Sequence, residues 1–88
     1  MPEEPNRISW MAVRKATPVF DARGREIGRV AEVVADEQKD IFSGIGFRHG
    51  FLGSEHFVPA DQIDALTERG VHLKLSAEEA ERLGARPS

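Results

Sequence analysis

Turn-forming sequences recur at short intervals along this chain, and they leave room only for short strands between them. The segments between the turns are rich in Val, Ile and Phe, residue types that favour strands. Five or six short strands followed by one short helix are typical of a mainly β fold, and we expect a small antiparallel β-barrel. The turns themselves read DARGRE at 21–26, DEQKD at 36–40, GFLGS at 50–54 and TERG at 67–70.

The clearest strand is VHLKL, residues 71–75. Its residues alternate between apolar and polar types, which is typical of a strand with one face in the core and one face in solvent. The alternation predicts that Val71, Leu73 and Leu75 point inward. His72 and Lys74 are then expected on the outer face.

The segment IGRVAEVVAD, residues 27–36, is ambiguous because its apolar residues do not alternate strictly. Ile27, Val30 and Val34 are spaced by three and four residues, as on one face of a helix. The valine content, Gly28 and the turn before it favour a strand that bends or carries a bulge. In the next strand, Gly44 and Gly46 predict that another group packs closely against the backbone.

Two further motifs fix local structure. In the first turn, Asp21 can accept hydrogen bonds from amides downstream, and Gly24 can adopt a positive φ. Near the end of the chain, Ser76 and Glu79 form the S-x-x-E capping box, which predicts a helix over 77–83 that Gly84 ends.

The domain boundaries follow from these elements. We expect a flexible tail over residues 1–9, one domain over 10–84 and a second tail over 85–88. With 88 residues, one small core is expected.

Composition excludes several classes of function. The chain has no cysteine, so it holds no disulfide and no thiolate metal site, which fits a cytoplasmic protein. No apolar run is long enough to span a bilayer, so membrane insertion is not expected. The net charge of −3 argues against a general nucleic-acid surface, since such affinity comes from Lys and Arg. A local basic face remains as an alternative, with residues Arg14, Lys15, Arg23, Arg25 and Arg29.

The sequence resembles the PRC-barrel family over about residues 11–76. The resemblance is carried by an apolar pair before an Asp-x-x-Gly turn, an Ile-Gly-x-Val entry to the second strand, and a Val-Pro-x-x-x-Ile segment before the last strand. The matching residues are Val19, Phe20, Asp21, Gly24, Ile27, Gly28, Val30, Val58, Pro59 and Ile63.

The resemblance implies a small β-barrel that acts as an interaction module. Members include the cytoplasmic domain of the photosynthetic reaction centre H subunit and the C-terminal domain of the ribosome maturation factor. This chain resembles a stand-alone member. No catalytic residue belongs to the family pattern, so the resemblance implies a protein that is not an enzyme and needs no cofactor.

The three histidines, His49, His56 and His72, invite a zinc interpretation, because imidazole is a good zinc ligand. His49 and His56 could approach each other across a hairpin as a two-histidine metal site, although their spacing matches no compact zinc signature. The favoured interpretation is that both are ordinary strand residues and that there is no metal site. Asp61 and Asp64 are interpreted as surface carboxylates, because no apolar sequence encloses them.

The residues we predict as an interface are partly apolar. Phe51 and Leu52 occupy a hairpin tip, where they either cover an open end of the barrel or contact another chain. Trp10 offers the same choice between core and interface. Arg48 and His49 would form the polar rim.

The sequence therefore predicts a non-catalytic protein-interaction module whose partner is a second copy or another protein. An RNA- or ribosome-associated maturation module is the first alternative. A small metal-binding protein or enzyme is the second alternative.

Overall fold

The computed structural model describes residues 7–49 and 53–84. These residues form six strands, one α-helix and two single turns of 3-10 helix, at Trp10–Ala12 and Ala60–Gln62. No helix of these two ranges is long and apolar enough to cross a membrane. The strands are β1 Pro18–Phe20, β2 Glu26–Asp36, β3 Ile41–Arg48, β4 Glu55–Pro59, β5 Ile63–Thr67 and β6 Gly70–Leu73, and the helix is α1 Ala77–Glu81.

The six strands form one sheet in the order β4-β3-β2-β1-β6-β5. This confirms a mainly β fold with a short C-terminal helix. Neighbouring strands are antiparallel except β1 and β6, which are parallel, with Val19 opposite Val71. The prediction of a purely antiparallel sheet is therefore wrong, because β6 returns to lie beside β1 in the same direction after four intervening strands.

The sheet is open rather than closed into the expected barrel. β4 and β5 are its edges, and no ladder joins them within residues 7–49 and 53–84. Only residues 60–62 separate these two strands along the chain. The four Cα steps from Pro59 to Ile63 span at most about 14 Å. The sheet is therefore curled enough to bring the end of one edge strand close to the start of the other.

Chain segments near the two termini cover part of each edge. The amide of Ile8 donates to the carbonyl of Leu66 on β5 at 3.0 Å, and Arg7 forms a bridge with Thr67. On the other edge, the amide of Phe57 on β4 donates to the carbonyl of Gly84 at 2.9 Å. These contacts satisfy backbone groups that a closed barrel would have paired between its strands.

The predicted tails lie partly outside the described residues, which exclude 1–6 and 85–88. Arg7 and Ile8 contact β5, as described above. Ser9 caps the first 3-10 turn by accepting a hydrogen bond from the Met11 amide. The contacts with the sheet thus begin before the predicted boundary at Trp10.

β2 is a strand with irregular pairing, as its pattern predicted. Its register against β3 shifts between Val30 and Glu32 and again between Val34 and Ala35. Each shift adds one residue to one strand and changes which face the following side chains occupy. This explains why the apolar residues of β2 do not alternate strictly.

The core lies on one face of the curled sheet. Val71 and Leu73 are buried, as predicted, and Leu75 packs against the core from its border. The capping box is present, and Ala80 of α1 is buried against the core. The helix ends at Glu81, two residues before the predicted end. The buried core consists of Val13, Val19, Ile27, Val30, Ile45, Phe47, Val58, Val71, Leu73 and Ala80.

Candidate interaction surface

The three strands β2, β3 and β4 have one face in the core and one face directed away from it. Phe47, Ile45 and Val58 are fully buried on the core side. Residues that lie directly opposite on neighbouring strands share a face, and successive residues along one strand point to opposite faces. The pairing therefore gives a second surface, here called the back face. Its cross-strand rows are Arg29-Arg48-Glu55, Glu32-Gly46-Phe57, Val34-Gly44-Pro59 and Asp36-Ile41.

Two glycines form the middle of the back face, and neighbouring side chains lie directly over them. A Cβ on Gly44 would meet the carbonyl of Val58 and the ring of Phe57, and its φ is 151°. A Cβ on Gly46 would lie 2.8 Å from Glu55 Oε2 and 3.1 Å from Glu32 Cγ. The predicted close packing at both glycines is confirmed.

An apolar strip crosses the back face beside these glycines. Val34 and Phe57 are half-buried, and neither belongs to the core or to the residues packed against it. Ile41 is 51% exposed. A sheet face that is apolar, outside the core and partly open to solvent is a candidate for contact with another protein.

Most charged residues of the back face lie at its two ends, and Glu32 lies in a row between them. At one end, Arg48 forms an ion pair with Glu55 at 3.6 Å. Arg29 donates from Nη1 to the carbonyl of Ala16 at 3.1 Å and lies 4.0 Å from Glu26. The arginine of each ion pair is more than half exposed, so each pair contributes little to folding.

The other end of the back face is the turn between β2 and β3. Asp36 accepts hydrogen bonds through Oδ1 from the amides of Gln38 and Lys39 at 3.1 and 3.2 Å. Glu37 and Asp40 are exposed in the same turn. Three acids against one lysine give this end a net negative charge.

A groove of about 890 Å³ lies beside the first row of the back face. Its charged lining carries both signs, since Lys15, Arg29 and Arg48 face Glu26, Glu32 and Glu55. Such a lining offers no excess of charge to select an anion or a cation. We therefore take the groove as the charged border of the back face rather than as a separate ligand site.

Among the predicted interface residues that the structure describes, Arg48 and Trp10 lie on different surfaces. Arg48 lies on the back face and is exposed. Trp10 is half-buried and stacks on Phe42, with ring centroids 6.1 Å apart and planes 7° apart. Phe42 packs against the core, so the Trp10 ring covers the border of the core and does not plug its interior. Phe51 and Leu52 lie outside the described residues, and their role stays a prediction.

His49 and His56 hydrogen-bond to different parts of the chain. His49 Nδ1 donates to the carbonyl of Ile27 on β2 at 2.7 Å. His56 Nδ1 donates to the carbonyl of Leu83 at 2.6 Å, and His56 lies on β4, on the other side of β3 from β2. Each ring thus has a backbone partner on a different side of β3, and the two-histidine site stays a hypothesis. In the described part of the chain, no group of three or more His, Asp or Glu is arranged to hold a metal ion.

The remaining polar candidates have structural contacts or lie in solvent. His72 stacks on Phe20 and hydrogen-bonds through Nε2 to Thr67 Oγ1 at 2.9 Å. His72 is half-buried, so the face of β6 that was predicted to lie in solvent is partly covered. Asp61 and Asp64 are exposed, as predicted.

Sequence reasoning missed the apolar residues Val34, Ile41 and Phe57. Their face is set by strand pairing and by the two register shifts of β2, which no local pattern reveals. The paired glycines at 44 and 46 were the available signal, because they marked the face on which close packing would occur.

Comparison with known proteins gives a family but no described relative. No curated protein matches the chain. The model of a family described as an uncharacterised protein conserved in bacteria, DUF2171, matches residues 13–81, which is more than three quarters of the chain. This range runs from the buried Val13 to the end of α1 and includes the whole back face. The chain therefore belongs to the DUF2171 family of uncharacterised bacterial proteins.

Proposed function

We propose that this protein is a non-catalytic protein-interaction module that acts as a homodimer, with the back face of β2, β3 and β4 as its contact surface. The observation that carries the proposal is the apolar strip of Val34, Ile41 and Phe57. These side chains lie outside the core, and packing a second surface against them would remove apolar area from water.

The back face also suits contact with an identical surface. A two-fold dimer joins the same patch of both subunits, so the patch must be complementary to itself. The back face carries both signs of charge, and its middle rows hold the apolar Val34 and Phe57 beside Glu32, so it can oppose a copy of itself.

The proposal that the protein is not a catalyst rests on the hydrogen bonds of its three histidines. His49 and His56 each use Nδ1 to bind a backbone carbonyl, and His72 binds a threonine hydroxyl. Such contacts are typical of structural histidines. The resemblance to PRC-barrel proteins adds support, since that family pattern has no catalytic residues. The short connection between the edge strands is compatible with a barrel-like curl of the same kind.

The test is the molar mass in solution, measured by light scattering from micromolar to near-millimolar protein. We expect a concentration-dependent dimer, and Phe57→Ser should shift the protein to monomer while circular dichroism shows an intact fold. Met11→Ser is the matched control, because Met11 is 63% exposed and belongs to none of the cross-strand rows of the back face. A monomer at every concentration, or equal effects of the two variants, would contradict the proposal.

A further inference from the structure

The segment of residues 7–13, which precedes β1, is here called the strap. Its first residues pair with the edge strand β5, where the Ile8 amide donates to the Leu66 carbonyl at 3.0 Å and Arg7 bridges Thr67. The strap is therefore a short additional strand at this edge of the sheet. It occupies backbone groups of β5 to which another chain could otherwise pair.

The strap buries little apolar surface. Val13 is buried and Ile8 packs against the core. Trp10 stacks on Phe42 and stays half-buried. The remaining strap residues are exposed, namely Arg7, Ser9, Met11 and Ala12. A segment with so few buried side chains opens at a lower free energy than the core strands of the sheet.

The turn that joins the strap to β1, residues 14–17, holds one strained residue. Ala16 has a φ of 69°, which lies in the left-handed region and is unfavourable for residues other than glycine. The Thr17 amide donates to the Arg14 carbonyl at 3.2 Å, and the Arg14 amide donates to Thr17 Oγ1 at 3.3 Å. Both bonds involve the exposed Arg14, so water can replace them when the turn straightens.

The end of this turn next to β1 is fixed to β2. The Ala16 amide donates to the Val30 carbonyl at 2.8 Å, and Arg29 Nη1 donates to the Ala16 carbonyl at 3.1 Å. These bonds hold the β1 side of the turn in place, so the strap is the part that can move. A short turn under strain favours the exchange of a segment between identical chains.

We infer that the strap is an exchangeable strand, which leaves β5 of its own chain and takes the same place on β5 of a second copy. The occupant follows from the contacts, because the strap itself fits this edge and every copy carries one. Exchange re-forms all strap contacts between the two chains, and it relieves the strain at Ala16 in both. This pairing uses β5 rather than the back face, so the inference goes beyond the proposed function.

Exchange should be slow, because Val13 must leave the core before the strap can move. Freshly dissolved protein therefore contains few exchanged pairs, and its mass reports only the back-face contact. Long incubation at high protein concentration is needed to reach the exchanged dimer.

Two chains with one cysteine each test the exchange. The natural chain has no cysteine, and Arg7 and Thr67 are directly opposite in their bridge, at a spacing that suits a disulfide. One chain carries Arg7→Cys and the other Thr67→Cys, and both carry Phe57→Ser so that the back face contributes no dimer. The mixture is incubated near-millimolar at 37 °C for several days, diluted to micromolar and oxidised. Exchange brings the two cysteines into one bridge, so the covalent mixed dimer should clearly exceed the covalent dimers of each chain incubated alone.

Variants of Ala16 give a second readout that needs no cysteine. Ala16→Gly keeps the turn and removes its strain, so in the Phe57→Ser background it should lower the dimerisation constant after incubation by about tenfold or more. Ala16→Val makes the left-handed φ less favourable and should raise the exchanged fraction. Light scattering measures the dimer, and circular dichroism confirms that each variant is folded. This pair decides the matter if Thr67→Cys fails to fold.

Two results would overturn the inference. One is a mixed disulfide that is no more abundant than those of the separate chains, and the other is an equal dimer mass for Ala16→Gly and Ala16→Val. Either result leaves the proposed function intact, since that function is measured on fresh protein with Phe57 in place. A fresh natural protein that is monomeric throughout would contradict the proposed function alone.

Discussion

The carboxylate of Asp21 accepts a hydrogen bond from the amide of Arg25 at 2.9 Å and so closes the turn between β1 and β2. The same oxygen accepts from the amide of Arg23 at 2.9 Å, and Asp21 is only 4% exposed. The hydrogen bond from the Arg25 amide is the main reason that the pKa of Asp21 lies below its ordinary value of 3.8. Hydrogen bonds to the charged form stabilise it, whereas burial of the carboxylate raises the pKa.

This lowered pKa predicts a loss of stability in acid. An acid whose pKa is lower in the folded state stabilises the fold fully above its unfolded pKa, and this contribution disappears as the pH falls through the folded pKa. The pKa of Glu79 is also lowered, chiefly by the Ser76 amide, and adds to the same trend. The contributions of Asp21 and Glu79 should leave the melting temperature nearly constant between pH 5 and 7. They should lower it from about pH 4 downward.

Asp21→Asn separates the contribution of Asp21 from that of other acids. The amide oxygen can still accept from both backbone amides, but it carries no charge. The variant should be less stable at pH 7 and should lose less stability between pH 5 and pH 2 than the natural protein. Thermal unfolding followed by circular dichroism at each pH measures both effects, and identical pH profiles would contradict the assignment to Asp21.

Gly44 is the position at which we expect a single methyl group to be most harmful. Its φ of 151° is strained for other residues, and a Cβ would meet the Val58 carbonyl and the Phe57 ring. Gly44→Ala should lower the free energy of unfolding by about 3 kcal/mol, as the sum of backbone strain and overpacking. Chemical denaturation measures this change.

Gly24 provides the control for that prediction. It also has a positive φ, 84°, but nothing lies within 4 Å of its added Cβ. Gly24→Ala should therefore cost only the backbone strain, about 1 kcal/mol. Equal losses at the two positions would show that the packing over Gly44 has little energetic weight.

The local structure of the chain was largely predictable. The Asp21 turn, the Ser76 capping box and the bulged strand around Val30 depend on residues close in sequence, and each formed as expected. β2 is a strand although Ile27, Val30 and Val34 have the spacing of a helix face. A strand with register shifts places its apolar residues at similarly uneven intervals, so the spacing did not distinguish strand from helix.

The arrangement of the strands was not predictable in the same way. The parallel pairing of Val19 with Val71 joins segments about fifty residues apart, and no turn motif encodes it. The apolar strip depends on strand pairing as well, since Phe57 lies opposite Gly46 on the back face while its neighbour Val58 is buried in the core. The sequence thus predicted the elements and several of their faces, while the open sheet and its back face required the tertiary structure.

The capping box gives a further prediction about α1. Ser76 Oγ accepts from the Glu79 amide at 3.2 Å, and Glu79 Oε1 accepts from the Ser76 amide at 3.1 Å. Ser76→Ala should lower the free energy of unfolding by about 1 kcal/mol, because the first turn of the helix loses a cap. Ser54→Ala, at an exposed position outside the strands and the helix, should change it by less than about 0.5 kcal/mol. Denaturant titration of both variants measures the difference.

The exposed side of β4 is protected by the residues that follow α1. The Phe57 amide donates to Gly84, His56 Nδ1 donates to Leu83, and Pro59 has no amide proton to offer a further strand. An edge strand with unpaired backbone groups is a template for pairing with other chains. We therefore expect a chain that ends at Arg82 to form larger assemblies during incubation at 37 °C, detected by light scattering and thioflavin fluorescence. A chain that ends at Gly84 keeps both contacts and should behave like the full chain, and equal behaviour of the two truncated chains would show that residues 83 and 84 do not protect the edge.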